Sequence, residues 1–402
     1  MGSRSILERG TMRKNALIKL NFATFVIFVT ACLLLLIYHQ NVDKKSNVFT
    51  YPSRVFHTDE SQDLKEDRYD YNDLTPVVNS SDKPPLKIIL LWNAMTPELS
   101  NNPFITFNCP VTSCLFTADM SLLRQSEVVL LRIDTLEDMP LNRQPHQRFV
   151  FLHIESPIST KFSIMDNPRF RYNYFNWTMT YRRDSDVFLR DYYGSVVNKT
   201  KLANDPDGDA ELAAIIRGKS KLVTWFVSHC STQIRREEYA RQLGQYVPVD
   251  IFGNCSSECP YDCYAMLRAE YKFYLAFENS WCPDYVTEKF TRPLFHDAVP
   301  IVLGGADYSH FGPPHSYINA RDFASPKALA DYLILLNNSD TLYASYFDWK
   351  KDFRVVKTDM SGWCDLCQLA HNESLPSKVY PDIKRWWMLD ESECEYNSTK
   401  YF

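Results

Sequence analysis

Short, uninterrupted apolar runs separated by helical and turn-rich stretches limit most strongly what this chain can fold into. Residues 86–92 read LKIILLW, 128–133 VVLLRI and 148–154 RFVFLHI; a second set follows at 221–227 (KLVTWFV), 249–252, 273–278 and 299–303. A strand with one wet face would show a polar residue at every second position. These runs do not, so each is predicted to be buried on both faces, as in a parallel sheet covered by helices. Helical stretches are expected at 210–217, 233–243 and 288–295. Strand and helix alternate along the chain, which predicts an α/β fold of two doubly wound halves with a cleft between them. Residues 163–209 lack such runs and read as a polar loop.

Upstream, residues 22–38 (FATFVIFVTACLLLLIY) carry no charge. That length is at the short end of the ~17–25 residues a membrane helix needs. Arg4, Arg9, Arg13, Lys14 and Lys19 precede the run against one acid, Glu8, so the basic side is expected to stay cytosolic and the rest to lie in the lumen. No small-x-small cleavage pattern follows Tyr38, which favours an uncleaved signal anchor over a signal peptide. A short span suits the thinner membranes of the early secretory pathway, and a Golgi location is expected. Residues 39–85 are polar and aperiodic and read as a stem.

Cysteine and sequon placement agree with that topology. Of 11 cysteines, Cys32 lies in the apolar run and the other ten fall on the luminal side, where disulfides are expected. The Asn-x-Ser/Thr sequons at Asn79, Asn176, Asn198, Asn254, Asn337, Asn372 and Asn397 are all luminal too, as candidate glycosylation sites should be. Cys364 and Cys367 form a CxxC with three readings: a redox pair, a zinc half-site with His371, or structural disulfides. An oxidising lumen weakens the first two. The spacing of Cys255, Cys259 and Cys263 could suggest a metal, but no histidine lies near.

A net charge of -5 over 402 residues, with no long basic block beyond the N-terminus, points away from a nucleic-acid partner. Neither G-x-G-x-x-G nor a P-loop occurs, so a nucleotide would have to be held in another way. The informative block is 271–289, YKFYLAFENSWCPDYVTEK. A strand ends near Glu278 and Asn279, and a polar loop leads into a helix starting near Glu288 and Lys289. Ligands in open α/β sheets bind at such carboxyl ends. Free helix N–H groups, the Lys289 cation, Tyr285, Asn279 and a Glu288 acceptor for sugar hydroxyls would suit a nucleotide sugar. On spacing alone, Glu288 and Lys289 read equally well as a first-turn acid and a solvated neighbour, with Tyr285 packed on the sheet.

FENS-x3-DY-V-TEK followed by VPIVLGG resembles the donor-site signature of the α1,3-fucosyltransferases (glycosyltransferase family 10), Golgi type II membrane enzymes. The likeness extends through 175–186 (FNWTMTYRRDSD) and 222–239 (LVTWFVSHCSTQIRREEY), although His229 stands where the family usually has Asn. It implies a GT-B arrangement of two Rossmann-like domains. The order expected is a cytosolic tail (1–21), membrane anchor (22–38), stem (39–85), acceptor domain (86–217), GDP-fucose domain (218–362) and a tail (363–402) linked by disulfides to the first domain.

By the same resemblance, Asn279, Tyr285, Glu288 and Lys289 surround GDP-fucose, with Glu288 on the ribose. Arg236 is the first choice for the pyrophosphate and Arg235 the reserve; fixed cations would stabilise the departing diphosphate. Glu155, directly after the strand RFVFLHI, resembles the family's catalytic base, a carboxylate able to take the proton of the acceptor hydroxyl. The CxxC of Cys364 and Cys367 is tied, by resemblance, back to Cys109 and Cys114. The reaction implied inverts β-linked fucose to an α-linked product on an N-acetylglucosamine of a glycoprotein glycan, core or antennary. It needs no bound metal, a divalent ion being at most a stimulant. The alternative is a non-catalytic, membrane-tethered carbohydrate-binding protein on the same fold.

Overall fold

The expected apolar runs become strands: those at 128–132, 148–153, 271–277 and 299–303 are buried at nearly every position, whereas the one at 249–252 is half-buried throughout. The computed structural model describes residues 85–93, 103–160, 165–189, 192–199, 206–356, 361–388 and Cys394. The tail 1–21, the apolar run 22–38, the stem up to residue 84, Asn79 and Asn397 lie outside them. Among the described residues no helix is long and apolar enough to cross a membrane.

The first sheet contains β1 (Lys87–Leu91), β2 (Cys114–Thr117), β3 (Val128–Arg132), β4 (Arg148–His153), β5 (Trp177–Thr180) and β6 (Val187–Phe188) in the order β2-β1-β3-β4-β5-β6. Every pairing is parallel. Side chains alternate between its two faces: Ile89, Leu130 and Val150 enter one core, Leu90, Val129 and Phe151 the other. Strands β5 and β6 lie within the stretch read as loop, as does β7 (Ser195–Asn198). They are two to four residues long, too short to show as an apolar run, so tertiary pairing makes them strands.

The second sheet runs β12-β11-β10-β8-β9, again all parallel, from β8 (Lys221–Phe226), β9 (Val249–Phe252), β10 (Tyr271–Phe277), β11 (Val299–Leu303) and β12 (Ile318–Asn319). Its central strand β10 is buried at all seven positions. Phe273, Leu275 and Phe277 face one core, Tyr274 and Ala276 the other. Each large apolar side chain so placed contributes about 1.5–3 kcal/mol. Helices cover the sheet: α1 (Pro206–Gly218), α2 (Arg236–Leu243), α3 (Cys263–Glu270), α4 (Glu288–Phe295) and α5 (Pro326–Asn337). The chain leaves β8 for β9 on one side and then returns to β10 on the other. The crevice where strand order reverses, the usual ligand position in such sheets, therefore lies between the carboxyl ends of β8 and β10.

After the second sheet the chain returns to the first. Strand β13 (Phe353–Val356) pairs antiparallel with β7. Helix α6 (Ser361–His371) puts Leu366 and Cys367 into one core of the first sheet, and α7 (Ile383–Met388) puts Ile383 and Trp387 into the other. Disulfides Cys109–Cys364 and Cys114–Cys367 hold this return, as the resemblance implied. With both cysteines bonded, the zinc and redox readings of the CxxC lose their thiols, and His371 instead faces the Ser113 carbonyl at 3.0 Å. Cys230–Cys255, Cys259–Cys263 and Cys282–Cys394 also pair, which removes the metal reading of the C-x3-C-x3-C run.

The sequon at Asn176 is corrected by the fold. Asn176 is 1% exposed, its Oδ1 accepts from Phe149 N–H and Arg143, and its Nδ2 donates to the Lys378 carbonyl, so it serves the core and is not placed to carry a glycan. Asn198, Asn254, Asn337 and Asn372 are exposed.

Candidate active site between the two sheets

Glu278 organises the site from inside. It follows the buried strand β10, is 0% exposed, and accepts the Thr287 N–H at 2.8 Å and the Thr287 hydroxyl at 2.9 Å. The two ends of the loop 278–287 are thereby closed on one another. Lys289, in the first turn of α4, places Nζ 2.8 Å from the Thr287 hydroxyl and 3.3 Å from both Glu278 Oε2 and Glu288 Oε1. Burial raises the Glu278 pKa against the opposing pull of Lys289. Burial would likewise raise Glu288, but Lys289 and Arg292 outweigh it and hold Glu288 below the usual carboxylate range. Lys289 is held above its ordinary value because Glu278 and Glu288 overcome the effect of burial. Glu288 and Lys289 are thus charged, paired and half-buried.

The loop is pressed against its neighbours. A Cβ on Gly305 would stand 2.8–2.9 Å from the Cys282 backbone, so the Gly-Gly after β11 is required by close approach. On its outer side the loop meets the first sheet. Ser280 Oγ lies 2.6 Å from Ser156 Oγ, and the Tyr285 hydroxyl donates to Glu155 Oε2 at 2.9 Å. The Arg183 N–H donates to Asp284 Oδ2 at 3.1 Å, and Cys282 is bonded to Cys394. Glu155 is half-buried at the carboxyl end of β4, where the sequence placed it.

The arginines divide differently from expectation. Arg235 adopts a left-handed backbone (φ 53°) and is exposed, and α2 begins only at Arg236, three residues later than predicted. Arg236 is 3% exposed. Its Nη1 donates to the Phe277 carbonyl at 2.5 Å and its Nη2 to the His229 carbonyl at 3.2 Å. That guanidinium ties the loop after β8 to the end of β10 and so builds the crevice from within. The first choice for a diphosphate contact is therefore committed to the scaffold. Asn279 is half-buried beside Ser280, whose hydroxyl lies 3.4 Å from its Oδ1.

Tyr193 is a site residue that sequence reasoning missed. Burial raises its hydroxyl pKa far above the ordinary value, and the charges of Glu155, Glu288 and Glu278 push the same way. It borders a cavity of about 330 Å³ whose walls include Thr287, Thr291, His310 and Phe353. Only a run of aromatic and charged residues marked this stretch, and its apolar pattern was too short to read.

The arrangement brings a half-buried carboxylate from one sheet against a loop from the other that leads into a cationic helix start. The chain as a whole is similar to known proteins. Residues 84–193 match the family description "Fucosyltransferase, N-terminal", and residues 216–386 match "Glycosyltransferase family 10 (fucosyltransferase) C-term". The chain is 38% identical over 325 residues to α-(1,3)-fucosyltransferase C of Drosophila melanogaster, covering 74% of each. It is 36% identical to the fly glycoprotein 3-α-L-fucosyltransferase A over 77% of this chain and 61% of that one. With the Caenorhabditis elegans α-(1,3)-fucosyltransferase fut-1 it shares 32% over 78% and 71% respectively. In fold it is similar to a crystal structure of an α1,3-fucosyltransferase with GDP-fucose, at 17% identity and a TM-score of 0.50 over 76% of this chain and 96% of that one. The chain belongs to glycosyltransferase family 10, the fucosyltransferases.

Proposed function

We propose that the chain is an inverting α1,3-fucosyltransferase with a GT-B arrangement, moving L-fucose from GDP-β-L-fucose to an N-acetylglucosamine residue of a glycoprotein glycan. The observation that carries this reading is the 2.9 Å contact between Glu155 and Tyr285, which sets a candidate base of one sheet against the donor-side loop of the other. The names of the relatives support the donor and the linkage.

In this reading the acceptor hydroxyl oxygen forms a bond to the anomeric carbon while the bond from that carbon to the GDP oxygen breaks on the opposite face. Glu155 receives the hydroxyl proton. Arg235, which is exposed at the switch crevice, and Lys289 stabilise the charge growing on the diphosphate. Glu288, held ionised, accepts from the ribose hydroxyls. A divalent ion enters only as a stimulant. The charge asymmetry around residues 22–38 supports a type II Golgi membrane protein with its catalytic portion luminal.

The test is GDP release and mass spectrometry of the product formed by the full-length chain on defined N-glycans. Glu155→Gln should abolish transfer while leaving GDP binding intact. GDP-fucose binding without transfer to any acceptor would instead make the chain a carbohydrate-binding protein.

A further inference from the structure

We infer that the Cys230–Cys255 disulfide sets the affinity for the nucleoside diphosphate by holding the loop that carries Arg235, so that both cysteines are positioning residues for the donor. The inference rests on the reading of Arg235 as a diphosphate contact. Strands β8 and β9 run parallel, so the loops that follow them leave from the same end of the sheet. Val227 extends the pairing by donating its N–H to the Phe252 carbonyl at 2.8 Å. The chain then turns at Gly253, which takes a φ of 103° and would place a Cβ 2.7 Å from the Val227 carbonyl oxygen. That turn brings Cys255 near enough for its N–H to donate to the same carbonyl at 3.3 Å and for its sulfur to bond Cys230.

Residues 228–235, between β8 and α2, form neither helix nor strand, so their course is set at separate points. On one side the disulfide ties Cys230 to the loop after β9. On the other, the His229 carbonyl accepts from Arg236 Nη2 at 3.2 Å, and the same guanidinium reaches the Phe277 carbonyl at the end of β10. Further along, Thr232 donates its N–H and its hydroxyl to Glu237 at 3.3 and 3.0 Å, and Ile234 is buried in the core. Between these points the side chains of His229, Gln233 and Arg235 are exposed. The loop is thus suspended across three strand ends, with a covalent tie toward β9 and a guanidinium tie toward β10. A loop already held in its binding position loses less freedom when an anion docks, so the covalent tie raises affinity by preorganisation. Its effect falls on binding and not on the chemical step.

The experiment titrates GDP calorimetrically into the full-length chain in detergent. It compares the parent, Cys230→Ser with Cys255→Ser, Arg235→Ala, and the three changes together; Cys259→Ser with Cys263→Ser controls for loss of the neighbouring bond. Removing Cys230 and Cys255 should raise the Kd for GDP about five- to twentyfold, the order that ordering one or two side chains costs. The KM for GDP-fucose should rise alike, with kcat at saturating donor within about twofold. In the Arg235→Ala background the same pair of changes should cost less than about twofold further, because the bond acts through that side chain. The control should keep the parent's Kd. The same bond is also opened in the folded parent by a brief phosphine treatment: the phosphine takes oxygen from water and becomes its oxide, and the two hydrogens of that water leave both sulfurs as thiols. Cys230 is the one exposed residue among the ten bonded cysteines, so this bond should open first, as peptide mapping will show. The Kd should then rise by the same factor at unchanged circular dichroism, which separates the effect from a failure to fold. An unchanged Kd once the bond is open, alongside weakened binding by Arg235→Ala, sinks the inference alone. So does an equal loss in both Arg235 backgrounds, or a lower kcat at unchanged Kd. If Arg235→Ala binds GDP as the parent does, the diphosphate contact itself falls and the inference with it.

Discussion

Glu278 and Thr287 are nine positions apart, yet the carboxylate of one accepts both the amide and the hydroxyl of the other with no exposure to solvent. That closure shapes the donor-side loop and neutralises Lys289 from below. Glu278→Ala should therefore leave a desolvated Lys289 without its buried partner and cost about 3 kcal/mol or more in folding stability. Glu278→Gln keeps an acceptor for Thr287 and should cost less. Urea denaturation of both variants checks the order, and Glu288→Ala should by contrast weaken donor binding with a smaller loss of stability.

The disulfides differ in how much unfolded chain they constrain. Cys282–Cys394 closes a separation of 112 residues, whereas Cys259–Cys263 closes 4. On loop entropy the first contributes about 4–5 kcal/mol and the second about 2. Replacing Cys282 and Cys394 together by Ser should lower the melting temperature and, because the bond anchors the Tyr285 loop, reduce kcat as well. The Cys259→Ser, Cys263→Ser variant should keep its turnover. Calorimetry and fucose transfer measured on the same preparations separate the two effects.

Much of this was legible because strands buried on both faces announce themselves as continuous apolar runs. Strands β9 and β11 and helix α4 fall where the sequence predicted them, and Glu155 sits at the strand end that motivated its role. What stayed hidden depends on contacts between distant segments. Strand β5 reads WTMT and looks like loop, because its burial comes from β4 on one side and β6 on the other. Arg235 and Arg236 are equivalent as letters; a left-handed residue before α2 sends the second inward and leaves the first exposed. The contact of Tyr285 with Glu155 spans 130 residues, so neighbours in sequence could not reveal it.

His153 makes the first sheet sensitive to acid. It is 0% exposed at the end of β4, with Nε2 2.8 Å from Thr160 Oγ1. The Thr160 hydroxyl can donate to the Ser156 carbonyl at 3.1 Å, which suits a neutral histidine donating from Nε2. Burial lowers its pKa from 6.5 to about 4. Between those values the unfolded chain takes up a proton that the folded chain refuses, so the stability is fully present above pH 6.5 and is lost progressively toward pH 4. The loss from this one group amounts to about 2–3 kcal/mol. Urea midpoints at pH 7 and pH 4.5 should diverge less for His153→Gln than for the parent; an unchanged divergence would place the acid sensitivity elsewhere.

Asn176 is the sequon that should remain unmodified. Its Oδ1 accepts the Phe149 N–H at 2.8 Å and a further bond from Arg143, and its Nδ2 donates to the Lys378 carbonyl at 2.8 Å. A sugar on Nδ2 would have to displace the segment carrying Lys378 and enter a core in which the Thr178 of the same sequon is also 0% exposed. Glycopeptide mass spectrometry of the folded protein should find Asn176 bare, with any occupancy confined to exposed asparagines such as Asn198, Asn254, Asn337 and Asn372. The amide's cost of replacement follows from the same bonds. Asn176→Gln moves the group by one methylene and breaks a bridge between β4, Arg143 and the C-terminal segment, which should cost about 2–3 kcal/mol. Asn337→Gln, on an exposed helix end, should cost almost nothing, so equal melting temperatures for the two variants would remove Asn176 from the core.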